Sequence, residues 1–192
     1  MSYDPSRPAG RLLLTPEDRE APDRALRLRR LGLGERPEPV LDGFAGRLAE
    51  VTGAPYAMVN FIGESEQFFA GLRVPEPAAR RGKPEVGRSL PRDHGYCPHV
   101  VARRRALALE DVGDYPRFAG NPIVDAYGVH SYLGAPLLDS AGRVLGTVCA
   151  ADLTPRAWGR AGLETVKAAA ARLAAEVERS ERDGLPLQVT WA

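Results

Sequence analysis

An apolar run, Tyr56-Ala57-Met58-Val59-Asn60-Phe61-Ile62, is followed after Gly63-Glu64-Ser65 by a second one, Gln67-Phe68-Phe69-Ala70-Gly71-Leu72. The first lacks helical spacing and reads as a buried strand, the Gly-containing break as a turn, and the second run as its antiparallel partner. The segments before this hairpin are helical. Thr15-Pro16-Glu17-Asp18 has a capping hydroxyl, a proline at the first helical position and acids in the first turn, so a helix is expected from there to about Leu31, stopped by Gly32 and Gly34. Glu38 to Val51 forms a second amphipathic pattern, with Leu41, Phe44, Leu48 and Val51 on one face, ending at Gly53.

After the hairpin comes a long loop, Pro75 to Pro91, then a short helix over Gly95 to Arg105 and a strand over Ala106 to Val112. Asp114 to Tyr127 holds Pro116, Asn121 and Pro122 around a helical turn. His130 to Leu138 and Val144 to Ala151 read as two strands joined at Asp139-Ser140-Ala141-Gly142, and Trp158 to Arg182 as a last helix. This order predicts an α+β fold: a central antiparallel sheet with helices packed on one side.

The 192 residues suit one domain, expected over 15–182, with an N-terminal arm over 1–14 and a C-terminal tail over 183–192. Twenty-six basic against 25 acidic side chains leave a net charge of +1, so no global field draws the chain to nucleic acid or anionic lipid. Nowhere do about 18 consecutive apolar residues occur, and a cytoplasmic location is expected, with no membrane partner. The positive charges are almost all arginine, with only Lys83 and Lys167 as lysines, which suggests a GC-rich bacterial source. Cys97 and Cys149 are too far apart in sequence for a metal knuckle and too few to staple a secreted scaffold, so reduced thiols are expected.

In the last helix, Leu163, Val166, Ala170, Leu173 and Val177 follow heptad spacing over about two heptads. The stripe suits either packing on the chain's own sheet or a homodimer joined through terminal helices, with Leu26, Leu28, Leu31, Phe44 and Leu48 as further apolar surface.

Five strings, taken in order, resemble the GAF family. They are Ala57 to Ile62 with Gln67-Phe68-Phe69; Tyr96-Cys97-Pro98-His99; Glu110-Asp111 with Pro116 to Pro122; Tyr132 to Leu137; and Leu145 to Asp152. The likeness runs from about Leu26 to Arg179. It implies a six-stranded antiparallel sheet, helices on one face that often mediate dimerisation, and a ligand cavity on the other face beneath long loops. A sensory domain that binds a small molecule and acts in signal transduction, alone or with a separate signalling protein, is the expected function.

Tyr96, Cys97, His99, Phe118, Asn121, Tyr127, His130 and Tyr132 are the candidate ligand-binding residues. Phe118, Asn121, Tyr127, His130 and Tyr132 come from segments that, by the resemblance, wall the pocket, and they mix apolar surface with a few polar groups. The structural alternative is that Asn121 before Pro122 makes a turn and the aromatics fill space. In Tyr96-Cys97-Pro98-His99, a thiol and an imidazole two residues apart could share a metal or form an ion pair that activates the thiol; alternatively Cys97 is a small buried hydrophobe. Cys149, in an apolar strand, reads as core. The basic residues Arg80, Arg81, Lys83, Arg88, Arg92, Arg103, Arg104 and Arg105 suit an anionic partner or a solvated face.

No complete catalytic constellation is present, so an enzyme is not expected. The alternative is a thiol-based redox sensor or a methionine sulfoxide reductase-like enzyme using Cys97. The reductase branch has a thiol after its Phe-x-Gly segment, whereas Phe118-Ala119-Gly120 leads here into Asn121-Pro122-Ile123-Val124-Asp125. The family's cyclic-nucleotide pattern, Asn-Lys-Phe-Asp-Glu, is not found, and Pro98 interrupts the adjacent Cys-His typical of bilin attachment. His94, His99 and His130 are the candidates for a haem ligand. The sequence names no cofactor.

Overall fold

The computed structural model describes residues 15–76, 85–189 and 191. Helices α1 (Ala21–Leu31) and α2 (Pro39–Thr52) lead into strands β1 (Tyr56–Ile62), β2 (Glu66–Arg73) and β3 (Ser89–Pro91). Next come α3 (Cys97–Arg103), β4 (Leu107–Leu109), a 3₁₀ turn over Val112–Asp114, α4 (Pro116–Ala119) and α5 (Pro122–Tyr127). Strands β5 (Ser131–Leu138) and β6 (Val144–Asp152) and helix α6 (Gly159–Asp183) complete the chain. The strands form one antiparallel sheet in the order β3-β2-β1-β6-β5-β4. All seven residues of the central strand β1 are buried, which is why its sequence is apolar without alternation.

The two faces of the sheet are covered differently. Ala57, Val59 and Phe61 of β1 join Leu133, Ala135 and Leu137 of β5 and Val148 and Ala150 of β6 in a core closed by α1, α2 and α6. The opposite face carries Tyr56, Met58, Tyr132, Cys149 and Ala151 and is covered by the short helices α3 to α5. The expected sheet with its long helices on one side is therefore present, with three short helical turns on the other.

The α6 stripe is used within the chain. Val166, Ala170, Leu173 and Val177 are at most 3% exposed, against the sheet and α2. Burying each large aliphatic side chain contributes about 2 kcal/mol. Four of the five stripe residues are thus covered within their own domain, and Leu163 is half-buried. The tail also returns to the core, where Trp191 packs on Phe44 with ring centroids 4.8 Å apart.

Other expectations change at element boundaries. Helix α1 starts at Ala21, not near Thr15, because Asp18 turns inward to a buried ion pair with Arg24, whose Nε also donates to the Ile62 carbonyl at 2.7 Å. Val51 is exposed instead of sharing the inner face of α2. The strand expected over Ala106 to Val112 shrinks to three residues, since Asp111 accepts from the Gly113 amide and starts a turn. A sixth strand, β3, emerges from the end of the long loop by pairing with Glu66–Phe68.

Arg80, Arg81 and Lys83 of the basic run lie outside the described residues. Arg88 pairs bidentately with Asp42 at 2.9 and 3.0 Å, Arg92 with Asp18 at 3.4 Å, and Arg104 with Glu20 at 2.9 Å. These cations are dispersed into intramolecular pairs.

Candidate functional site

A cavity of about 40 Å³ lies between the sheet and the short helices. Its floor is Tyr56, Met58, Tyr132, Cys149 and Ala151, and its roof is Tyr96 and Cys97 at the start of α3 with Ile123 and Tyr127 of α5. Gln67, Phe69, Leu90 and His94 close one side. The floor follows from register: Met58 pairs with Cys149, and Cys149 with Gly134, so these three positions form one row across β1, β6 and β5. Gly134 matters because a Cβ there would overlap the hydroxyl and ring of Tyr132. Without that Cβ, Tyr132 lies across the strand and its hydroxyl comes within 3.3 Å of the Cys97 sulfur.

Of the candidate residues, Tyr96, Cys97, Tyr127 and Tyr132 line the cavity. His99 and Phe118 lie behind its wall, stacked edge to face with centroids 4.9 Å apart. Asn121 is also in the wall. It caps α5 by accepting from the Ile123 amide at 3.1 Å, and its carboxamide exchanges two hydrogen bonds with Gly95. His130 is exposed just before β5, with Nδ1 3.9 Å from Asp111, and does not line the cavity. Cys149, Met58 and Gln67 were not among the candidates, and His94 was one only for a haem ligand. The alternation of β6 was the available signal, since Cys149 and Ala151 fall on the face opposite Val148 and Ala150.

The two thiols meet. Cys97 Sγ is 3.7 Å from Cys149 Sγ, which is 4.0 Å from Met58 Sδ. Their distance in sequence therefore did not set their distance in space. Hydrogen bonding from Cys149, with help from Thr147, Tyr132 and Asn60, outweighs burial and lowers the Cys97 pKa. The same contact with Cys97, with burial, raises that of Cys149, so the pair gives up one proton readily and the second with difficulty. Burial above all, and then the neighbouring thiols, raises the Tyr132 pKa and keeps it a hydrogen-bond donor.

His99 does not activate Cys97. Burial, then Arg117 and Arg103, lowers its pKa to about 4, so the ring is neutral near pH 7 and no ion pair with the thiolate forms. Among the described residues, no three of His, Cys, Asp and Glu converge as a metal site. Among the described residues, the buried Tyr96 hydroxyl in the cavity roof has no hydrogen-bond partner.

The GAF domain family model matches residues 36–177 of the chain. The chain belongs to the GAF family. A cyclic di-GMP phosphodiesterase of Pseudomonas aeruginosa is 26% identical over 128 residues, covering 65% of this chain and 20% of that protein. This GAF domain thus corresponds to about a fifth of that relative. Among solved structures, the GAF domain of an Acinetobacter phosphoenolpyruvate-protein phosphotransferase superposes with a TM-score of 0.58 at 16% identity, covering 88% of this chain and 99% of that one. The cyanobacteriochrome receptor PixJ gives 0.60 at 17% identity, over 73% and 94% of the two chains. A free methionine-R-sulfoxide reductase from Neisseria meningitidis, solved with its substrate, gives 0.59 at 18% identity, over 88% and 96%. At these identities the structural likeness establishes the fold.

GAF domains are ligand-binding signalling domains, and the cavity of this one is small. Typical ligand pockets occupy roughly 300–1,000 Å³, whereas water-sized occupancy needs roughly 10–15 Å³ each, so about three waters fit here. A haem, a bilin or a nucleotide exceeds that space in this conformation. Among the described residues no helix is long and apolar enough to cross a membrane.

Proposed function

We propose that this chain is a sensory regulatory domain that reads a small molecule in the cavity between the sheet and α3/α5. The observation that carries this reading is the cavity itself: an apolar floor, with the unpartnered Tyr96 hydroxyl in the roof to orient an occupant. Its roof is made of short helices, tied together by Asn121 and Gly95, so an occupant that displaces Tyr127 or Ile123 moves α5 relative to α3. The output passes to a separate signalling protein, a second copy or further domains, in a cytoplasmic setting. The reading is of a sensor and not an enzyme, since the segment after Phe118-Ala119-Gly120 lacks the thiol of the reductase branch.

Thermal unfolding across a panel of small metabolites tests this. A ligand at 100 times its Kd stabilises the fold by about 2.7 kcal/mol. The expected result is a stabilising compound whose effect is lost in Ala151→Leu, which fills the floor. Stabilisation that survives this filling would place the site elsewhere, and no stabilisation by any compound would reject the reading.

A further inference from the structure

We propose that Cys97 and Cys149 are a redox pair, oxidised to an intramolecular disulfide by hydrogen peroxide that enters the cavity. Both sulfurs border the cavity and already touch, 3.7 Å apart, on elements that come from opposite layers: the start of α3 and the middle of β6. Closing to a bonding distance of about 2 Å is a local movement. The cavity is sized for peroxide, little larger than water, and too small as it stands for a sulfoxide side chain.

The surroundings assign the roles. Tyr132 stands 3.3 Å from the Cys97 sulfur as a donor to its thiolate; the Cys149 sulfur lies against Cys97 and Met58, and Tyr132 and Thr147 bear on it as well, but Cys97 is the thiol that this arrangement favours as the thiolate. Cys97 therefore attacks first. Its thiolate takes the distal peroxide oxygen: an S–O bond forms, the O–O bond breaks, and hydroxide leaves, taking up the proton that Cys97 released to give water. The Cys149 sulfur then attacks the Cys97 sulfenic acid. An S–S bond forms, the S–O bond breaks, and a second water leaves with the Cys149 proton. Two thiols and one peroxide become one disulfide and two waters, with two electrons passing from sulfur to oxygen. An external dithiol reverses the step by exchange. The chemistry is stoichiometric and requires no metabolite in the cavity, so it stands apart from the ligand reading above. Its structural effect is a pull on the start of α3, which Gly95 and Asn121 transmit to α5.

Intact-mass and peptide analysis of the reduced full chain, treated with stoichiometric hydrogen peroxide, tests the pair. The expected result is a loss of two hydrogens, one peroxide consumed per chain, and a Cys97–Cys149 cross-linked peptide that dithiothreitol removes. Cys149→Ala should instead accumulate a sulfenic acid at Cys97, trapped by dimedone, and Cys97→Ala should leave Cys149 at least about tenfold slower to oxidise. Two intact thiols, oxygen added to Met58 with both thiols intact, or a sulfenic acid on Cys149 in Cys97→Ala as fast as in the wild type would each overturn the proposal. The wild-type mass shift decides even if a variant fails to fold.

Discussion

Asn121 holds Gly95 by both edges of its carboxamide, accepting from the Gly95 amide at 2.8 Å and donating to its carbonyl at 2.9 Å. The side chain thus imitates a strand neighbour for a backbone that makes a left-handed turn, with φ of 82° at Gly95, just before α3. Asn121→Ala leaves buried groups of Gly95 unpaired and removes the α5 cap, at an expected cost of about 2–4 kcal/mol. Urea unfolding checks the loss. Asn121→Asp, which keeps the acceptor and loses the donor, should fall between the two, and equal stability of all three would remove the clamp from the account.

Gly71 faces α2 so closely that a Cβ would overlap the Leu41 carbonyl, an obstacle in the backbone and not a movable side chain. Gly71→Ala is expected to cost about 1–3 kcal/mol, or about 2–12 °C in melting temperature for a chain of this size. Gly134→Val meets the ring of Tyr132 instead, so it should both destabilise the fold and remove the hydroxyl from Cys97. A calorimetric scan separates the two from wild type, and unchanged melting in either would contradict the packing described.

Arg24 and Asp18 form a buried pair, their side chains 1% and 4% exposed. Removing Arg24 leaves the buried Asp18 with its longer contact to Arg92, at 3.4 Å, so Arg24→Met should cost up to about 3 kcal/mol while the double change with Asp18→Leu recovers part of it. The double-mutant cycle in guanidinium is the measurement. Additive losses would show that the two side chains act separately.

The His99 pKa is lowered from 6.5 to about 4 by burial. A group whose proton is held more tightly by the unfolded chain adds nothing above pH 6.5 and destabilises the fold as pH falls from 6.5 to about 4. His99→Phe should therefore flatten the fall of melting temperature across that window relative to wild type. A parallel fall in both proteins would show that carboxylates account for the whole effect.

Leu173 is fully buried against its own sheet. Leu173→Glu should unfold the domain and not release folded monomers, because the carboxylate enters the core. Far-ultraviolet circular dichroism reads the outcome, and a folded variant with reduced mass in light scattering would restore the stripe to an interface.

Much of the fold was legible in local pattern. The β1–β2 hairpin, the β5–β6 hairpin and the bodies of α2 and α6 all follow from apolar runs, glycine breaks and helical spacing. What failed was local too: Thr15 offers a cap that the chain does not use, since Asp18 is engaged by Arg24, and β3 has only three residues, held by pairing with β2. The candidate site was half legible. Tyr96, Cys97, Tyr127 and Tyr132 reach the cavity, whereas His99, Phe118 and Asn121 support its wall and His130 is exposed.

By itself the sequence determined the element types and the antiparallel class of the sheet, because periodicity and turn chemistry act over a few residues, and five of its strings carried the resemblance to the GAF family. Only the tertiary structure decided which apolar stripe would be spent inside the domain and which atoms would meet. Cys97 and Cys149 are 52 residues apart along the chain, and their contact depends on the β1–β6–β5 register, on the bare backbone of Gly134 and on where α3 begins. None of these is a local property: register is fixed by burying one face of a strand at the expense of the other, and that choice is made by the whole core.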